Sequence, residues 1–182
     1  MKALCAIACI FLVGNAEAFQ QLKASESAGW VDQIKYDEAA SAGPVEDIRA
    51  IQDLVSRYQI GVKQKDEKTL MSFYLNDSVP VISSLAPKTY AVIVAANPQQ
   101  SIPRYQMSTA KVSVPQEVKG GLDTISNLVI RTDGAVGSAS WNYVLAGGNG
   151  RGTIEYSVIR ANDGWKIAGV LFSINVPAAD KS

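Results

Sequence analysis

The sequence predicts an α+β fold in which amphipathic helices come first and a strongly curved antiparallel sheet wraps around them. Strand-like runs fill Asp123 to Ile174, with β-branched or aromatic residues at alternate positions. Short Gly-containing turns separate these runs, so successive strands are antiparallel neighbours. Upstream, a stretch beginning near Pro44 repeats its apolar residues at helical spacing. A sheet that curls over a helix leaves a cone-shaped cavity, and a cavity of that kind can bind a small molecule.

The helices are justified by pattern and caps. Pro44 to Lys65 reads as the first, with Pro in the opening turn and Glu46 and Asp47 where the helix dipole favours negative charge. Ile48, Ile51, Leu54, Val55, Tyr58 and Val62 fall on one face. Asp66 can cap a second, shorter helix presenting Leu70, Phe73 and Tyr74. Val79 to Ser83 reads as a short strand entered through Pro80, which places it at a sheet edge. Residues 85–119 are interrupted by Pro87, Pro98, Pro103 and Pro115 and read as a lid or rim. Within them, Thr89 to Ala95 suits either a strand or a short buried helix, because it is apolar on both faces.

The later strands are bounded by turn chemistry. Thr124 to Arg131 ends at Thr132-Asp133-Gly134. Ala135 to Leu145 ends in Gly147-Gly148-Asn149-Gly150, a hairpin tip rather than a phosphate loop, since it lacks the Lys-Ser/Thr ending and no helix follows. Gly152 to Arg160 ends at Asn162-Asp163-Gly164, and Trp165 to Ile174 closes the sheet.

Composition bounds the function. The chain has 182 residues, 17 Lys+Arg and 17 Asp+Glu, which suits one core and gives a net charge of zero. Its arginines are scattered from Arg49 to Arg160 with no basic stripe, so no nucleic-acid partner is expected. Residues 1–18 have the pattern of a secretory signal: Lys2, an apolar run from Ala3 to Val13, and Ala16-Glu17-Ala18 as the small-x-small cleavage site. The expectation is an exported protein, periplasmic or secreted, with no stable membrane span after cleavage. Cys5 and Cys9 both fall inside this segment, so the mature chain would have no thiol nucleophile, disulfide or Cys-based metal site. Residues 19–43, with Trp30, read as a linker or loosely docked arm. The domain is expected over 44–176, and 177–182 form a tail.

The ordered set of the helix Glu46 to Lys65, the Asp66 to Asp77 segment with Phe73-Tyr74, Ile130-Arg131-Thr132-Asp133-Gly134-Ala135-Val136, and Asp163-Gly164-Trp165-Lys166-Ile167 resembles the NTF2-like superfamily, and within it the SnoaL-like branch. The resemblance spans Val45 to Ile174 and implies a cone-shaped fold. It does not select among that superfamily's isomerases, dehydratases, cyclases, hydrolases and binding proteins.

Histidine is absent from the chain, which removes the His–Asp chemistry of many such proteins and disfavours a zinc or iron site. The resemblance to ketosteroid isomerase, which works without His, would cast Tyr58 as the oxyanion-hole tyrosine. The Asp base expected on the first strand is missing from Val79-Pro80-Val81-Ile82, and Asp77 just before it reads as a cap or turn. The Arg131-Thr132-Asp133 run has a spacing like that of limonene epoxide hydrolase, but Asp133-Gly134 reads as a hairpin turn. No catalytic residue, cofactor or metal is therefore assigned.

Alternation puts Trp141, Tyr143 and Leu145 on one face of their strand, and Ile154, Tyr156 and Val158 on one face of the next. Glu155 falls on the opposite, polar face. The candidate ligand-binding residues are Tyr58, Tyr74, Trp141, Tyr143 and Tyr156, as core or as pocket wall. The expected function is non-catalytic: binding of a small, largely apolar molecule in the cone cavity, or a structural role. The alternatives are an isomerase or polyketide-cyclase-like enzyme using Tyr and a carboxylate, and an envelope interaction module. The polar sheet face with interspersed Val and Ile is a candidate homodimer surface.

Overall fold

The computed structural model describes residues 36–176. The signal-like segment, Trp30 and the 177–182 tail lie outside the described residues.

Helix α1 spans Val45–Gln64, with Pro44 at its N-cap and Lys65 as a left-handed C-cap. The predicted stripe is the buried one: Ile51, Leu54, Val55, Tyr58 and Val62 are in the core and Ile48 packs against it. Gly61 permits close approach of the next helix, because a Cβ there would lie 2.8 Å from the Leu70 side chain. Helix α2 spans Glu67–Ser72, and the Asp66 carboxylate caps it by accepting from Thr69 N at 3.0 Å.

Strand β1 spans Pro80–Leu85, helix α3 Pro87–Ala96, strand β2 Tyr105–Thr109 and helix α4 Ala110–Gly120. Strands β3 (Thr124–Thr132), β4 (Val136–Val144), β5 (Arg151–Ala161) and β6 (Gly164–Ile174) then follow as an antiparallel meander. The six strands form one open sheet in the order β2-β1-β6-β5-β4-β3. Register shifts between Ser126 and Val129 and between Ser157 and Val158 mark bulges, which bend and twist a sheet. Helix α1 packs against β3, β4 and β6, on the concave side.

The cross-strand row Ile130–Ala139–Tyr156–Val170–Val81 runs across five strands in register, and every member is buried. It forms the floor of the core beneath α1. The opposite face carries exposed Thr153, Glu155 and Ser157, so Glu155 is a surface charge. Asp133 sits in its hairpin turn, accepting from Ala135 N and Val136 N at 2.9 Å each.

Two elements differ from the sequence-based expectation, and the end of the expected linker or loosely docked arm can be placed. Strand β1 is internal, paired antiparallel with β2 and parallel with β6. Pro80 is tolerated because it opens the strand, one residue before the pairing with β6 begins at Val81. The Thr89–Ala95 run is helical as part of α3, yet only Thr89 is buried in that helix. The last residues of the predicted loose arm are docked: Asp37 N and Ala42 N donate to the carbonyls of Leu128 and Ile130 at 2.8 and 3.0 Å, and Thr132 N donates back to Ala42 at 2.9 Å. This segment covers the outer edge of β3, an arrangement that suppresses edge-to-edge pairing.

Candidate functional site

The site is assembled from α1, the end of α2, α4 and the sheet floor. Tyr58 projects from the buried face of α1 and is completely buried. Its hydroxyl lies 3.0 Å from the Tyr74 hydroxyl and donates to Glu117 Oε2 at 2.6 Å. Tyr156 presents its ring to Tyr58 at 5.6 Å between centroids, in an edge-on arrangement. Trp141 packs edge-on against Tyr156 at 4.7 Å, and Phe73 and Tyr74 flank Tyr58 at 6.1 and 6.0 Å. Aromatic pairs favour this edge-to-face geometry.

Of the five candidate residues, the structure brings Tyr58, Tyr74, Trp141 and Tyr156 into one cluster. Tyr143 stands apart on β4, where its hydroxyl donates to the Ser173 carbonyl at 2.8 Å. All five are buried. Glu117 retains more access to solvent than the aromatic groups around it.

Sequence reasoning missed Glu117. It lies on α4 with buried Ala110, Val114 and Val118, at offsets that put all four on one helical face. That stripe was the available signal. Pro115 hid it, because a proline inside an apolar run reads as a break. Here the helix continues through Pro115.

Electrostatics set Glu117 apart. Burial pushes its carboxyl up to about 7, with nearby Asp123 adding to the rise and the Tyr58 hydrogen bond opposing it. Asp123 opens the approach to β3 and accepts from Ala146 N at 3.1 Å. Burial raises its carboxyl to about 6, against the lowering effect of that hydrogen bond. Tyr58, Tyr74 and Tyr156 are all held above the ordinary phenol range, chiefly by burial and next by Glu117, so they stay protonated near neutrality. Glu117 is thus a carboxyl that can exchange a proton near pH 7, held by a phenol that remains a donor.

A separate cleft of about 640 Å³ lies between the start of α1, the end of α2 and the β5–β6 hairpin. It is lined by Asp47, Arg57, Phe73, Arg160, Trp165 and Lys166 among others, and by none of the five candidate residues. Its cations are engaged: Arg160 with Asp47, Lys166 with Asp163 at 2.8 Å, and Arg57 with Asp53 at 3.7 Å.

The architecture defines the class of protein: the chain has the NTF2-like, cystatin-like fold. Solved structures with this fold superpose on it at low sequence identity. An NTF2-like protein with a cystatin-like fold from Novosphingobium aromaticivorans is 12% identical, with 74% of this chain and 86% of that one covered and a TM-score of 0.51. An NTF2-like protein of unknown function from Silicibacter pomeroyi is 13% identical over 71% and 97% of the two chains, with a TM-score of 0.52. A candidate dehydratase from the NTF2-like family of Streptomyces avermitilis is 12% identical over 74% and 99%, with a TM-score of 0.51. No family model matches the sequence, and no curated protein matches it.

Proposed function

We propose that this protein is an exported NTF2-like domain that binds a small, largely apolar molecule carrying a carbonyl or hydroxyl oxygen, and that Glu117 exchanges a proton with it. The single observation behind this reading is the 2.6 Å hydrogen bond from Tyr58 to a Glu117 carboxylate set among aromatic side chains. The ligand would approach from the Glu117 and Asp123 side, where the half-buried Leu122, Ile125 and Leu145 supply apolar surface. In its ionised form Glu117 would accept a proton from the ligand, and in its protonated form it would return one. Tyr58, whose one hydroxyl proton goes to Glu117 and which is itself completely buried, would orient that carboxylate without touching the ligand. This is the isomerase or cyclase type of chemistry, using Tyr and a carboxylate and needing no imidazole.

The near-complete burial of Tyr58, Tyr74, Trp141 and Tyr156 favours a second reading, in which the domain binds without chemistry and the aromatic cluster is wall and core. The two readings separate in one experiment. A panel of small apolar ketones, enols and alcohols is tested by thermal shift against the parent, Glu117→Gln and Tyr58→Phe, since a bound ligand raises the melting temperature by mass action. The compounds that bind are then incubated in deuterated buffer, and deuterium uptake next to the oxygen is followed by mass spectrometry. Proton exchange that the parent catalyses and Glu117→Gln does not supports the first reading. Binding without exchange leaves the second. A panel that shifts no melting temperature removes both. Pairing of the outer sheet face with a second copy belongs to the same proposal, and analytical ultracentrifugation tests it.

A further inference from the structure

No acidic residue occurs between Asp77 and Glu117, whereas Lys88, Arg104 and Lys111 lie within that stretch, all exposed. Helix α3 belongs to this stretch and has an inverted pattern. Its exposed residues after Pro87 are Lys88, Ala91, Val92, Ala95 and Ala96, at offsets that form one continuous stripe. Apolar residues at that spacing normally face a core. Here they face outward, with Val92 57% exposed, and Thr89 is the one buried residue of the helix.

The neighbouring loop extends the same surface. Tyr90 Oη donates to the Ile102 carbonyl at 3.2 Å, and Leu85 N donates to the Arg104 carbonyl at 2.9 Å. These bonds tie Arg104 and Tyr105 to the end of the sheet that bears α3, and Tyr105 is 60% exposed. Lys88 and Arg104 form no ion pair with any described residue. The result is an apolar strip with an exposed tyrosine and basic residues beside it.

We propose that α3 and the adjoining 102–105 segment dock on an anionic lipid surface. The charge pattern selects this occupant: basic groups that pair with no carboxylate among the described residues complement lipid phosphates, and a tyrosine suits the headgroup level. A second copy placed face to face on the same strip would oppose Lys88 and Arg104 with like charges. An acidic protein would answer the charges, but it would also need a groove shaped to a helix that buries little of itself in its own fold. A lipid interface accepts such a strip without a matching shape. The ten residues of α3 are too few to cross a bilayer, so the helix would lie in the interface plane.

The test is co-sedimentation of the full chain with vesicles of one-third phosphatidylglycerol in phosphatidylcholine, and with phosphatidylcholine alone. The apolar Ala3–Val13 segment is present in every variant, so differences between variants report on the strip. The variant Lys88→Glu/Arg104→Glu is expected to lose about tenfold or more in partitioning to the anionic vesicles. Val92→Glu is expected to lose several-fold, and Val45→Glu at the exposed start of α1 is expected to match the parent. Should Val92→Glu fail to fold, the surface charge variant carries the test. Equal partitioning by the parent and the charge variant overturns the proposal. So does no sedimentation of the parent at all, which would turn the search to an acidic protein partner.

Discussion

Tyr58 and Glu117 are 59 residues apart in sequence and 2.6 Å apart in space. The hydrogen bond between them ties the first helix to the helix that precedes the β3–β6 meander. It also holds a carboxyl whose protonation is shifted toward neutrality within a largely apolar cluster.

That shift makes stability depend on pH in a definite direction. The folded Glu117 carboxyl is raised to about 7 from the ordinary 4.5, so the folded state holds its proton more tightly than the unfolded state. Its contribution is fully present below about pH 4.5 and is lost as pH rises through about 7. Thermal melts from pH 5 to pH 8 should show the parent losing stability relative to Glu117→Gln, by on the order of 2 kcal/mol across that window. Parallel curves for the two proteins would show that Glu117 titrates normally.

Tyr58→Phe removes the donor to Glu117 and the partner of Tyr74. Because the Tyr58 hydrogen bond lowers the Glu117 pKa, its loss should raise that pKa further. A carbon-13 NMR titration of labelled Glu should show the Glu117 midpoint moving up, and the variant should be less stable by about 1–3 kcal/mol. An unchanged midpoint would mean that the hydrogen bond does not control the carboxyl.

Gly152 lies near the start of β5, beside the Ser173 end of β6, and a Cβ at this position would lie 1.9 Å from the Ser173 carbonyl oxygen. Backbone cannot yield as a side-chain tip can. Gly152→Ala should therefore destabilise by roughly 2 kcal/mol or more in chemical denaturation, well beyond an ordinary surface change. Gly169→Ala, whose nearest neighbour would be Ser157 Cβ at 3.7 Å, should be much milder.

Trp165 is buried, yet its Nε1 has no hydrogen-bond partner among the described residues. A buried unpaired donor costs about 1–3 kcal/mol, so Trp165→Phe should recover part of what it loses in packing. The expected net loss is under about 2 kcal/mol, against about 3–5 kcal/mol for Trp165→Ala. Equal losses for the two variants in urea titrations would show that relief of the indole N–H is negligible.

The fold was legible where local chemistry and burial agree. In α1 the Ile51–Leu54–Val55–Tyr58–Val62 stripe, the Pro44 entry and the Asp66 cap all point the same way. The hairpins were legible because Asp133-Gly134 and Asp163-Gly164 meet the backbone demands of tight turns, with Gly134 and Gly164 both at positive φ. Four of the candidate aromatic residues meet because strand alternation and helix periodicity fix facing sides. Pairings that depend on distant chain were not legible: nothing local to Val79–Ser83 announces a parallel partner at Val170–Ile174. Glu117 was hidden for a related reason. Its role comes from Tyr58 on another helix, and Pro115 disguised the helix that carries it.

The parallel seam between β1 and β6 also bears on how the chain is made. Of the six described strands β1 is the first to be synthesised and β6 the last, so the centre of the sheet stays open until the final stretch leaves the ribosome. The meander from β3 to β5 can zip up from neighbours in the meantime, because its contacts are short-range. Completion must wait for a closure between Val81 and Val170, 89 residues apart, and long-range closures are slow. During that wait the aromatic floor is incompletely covered, a condition that invites chaperone capture.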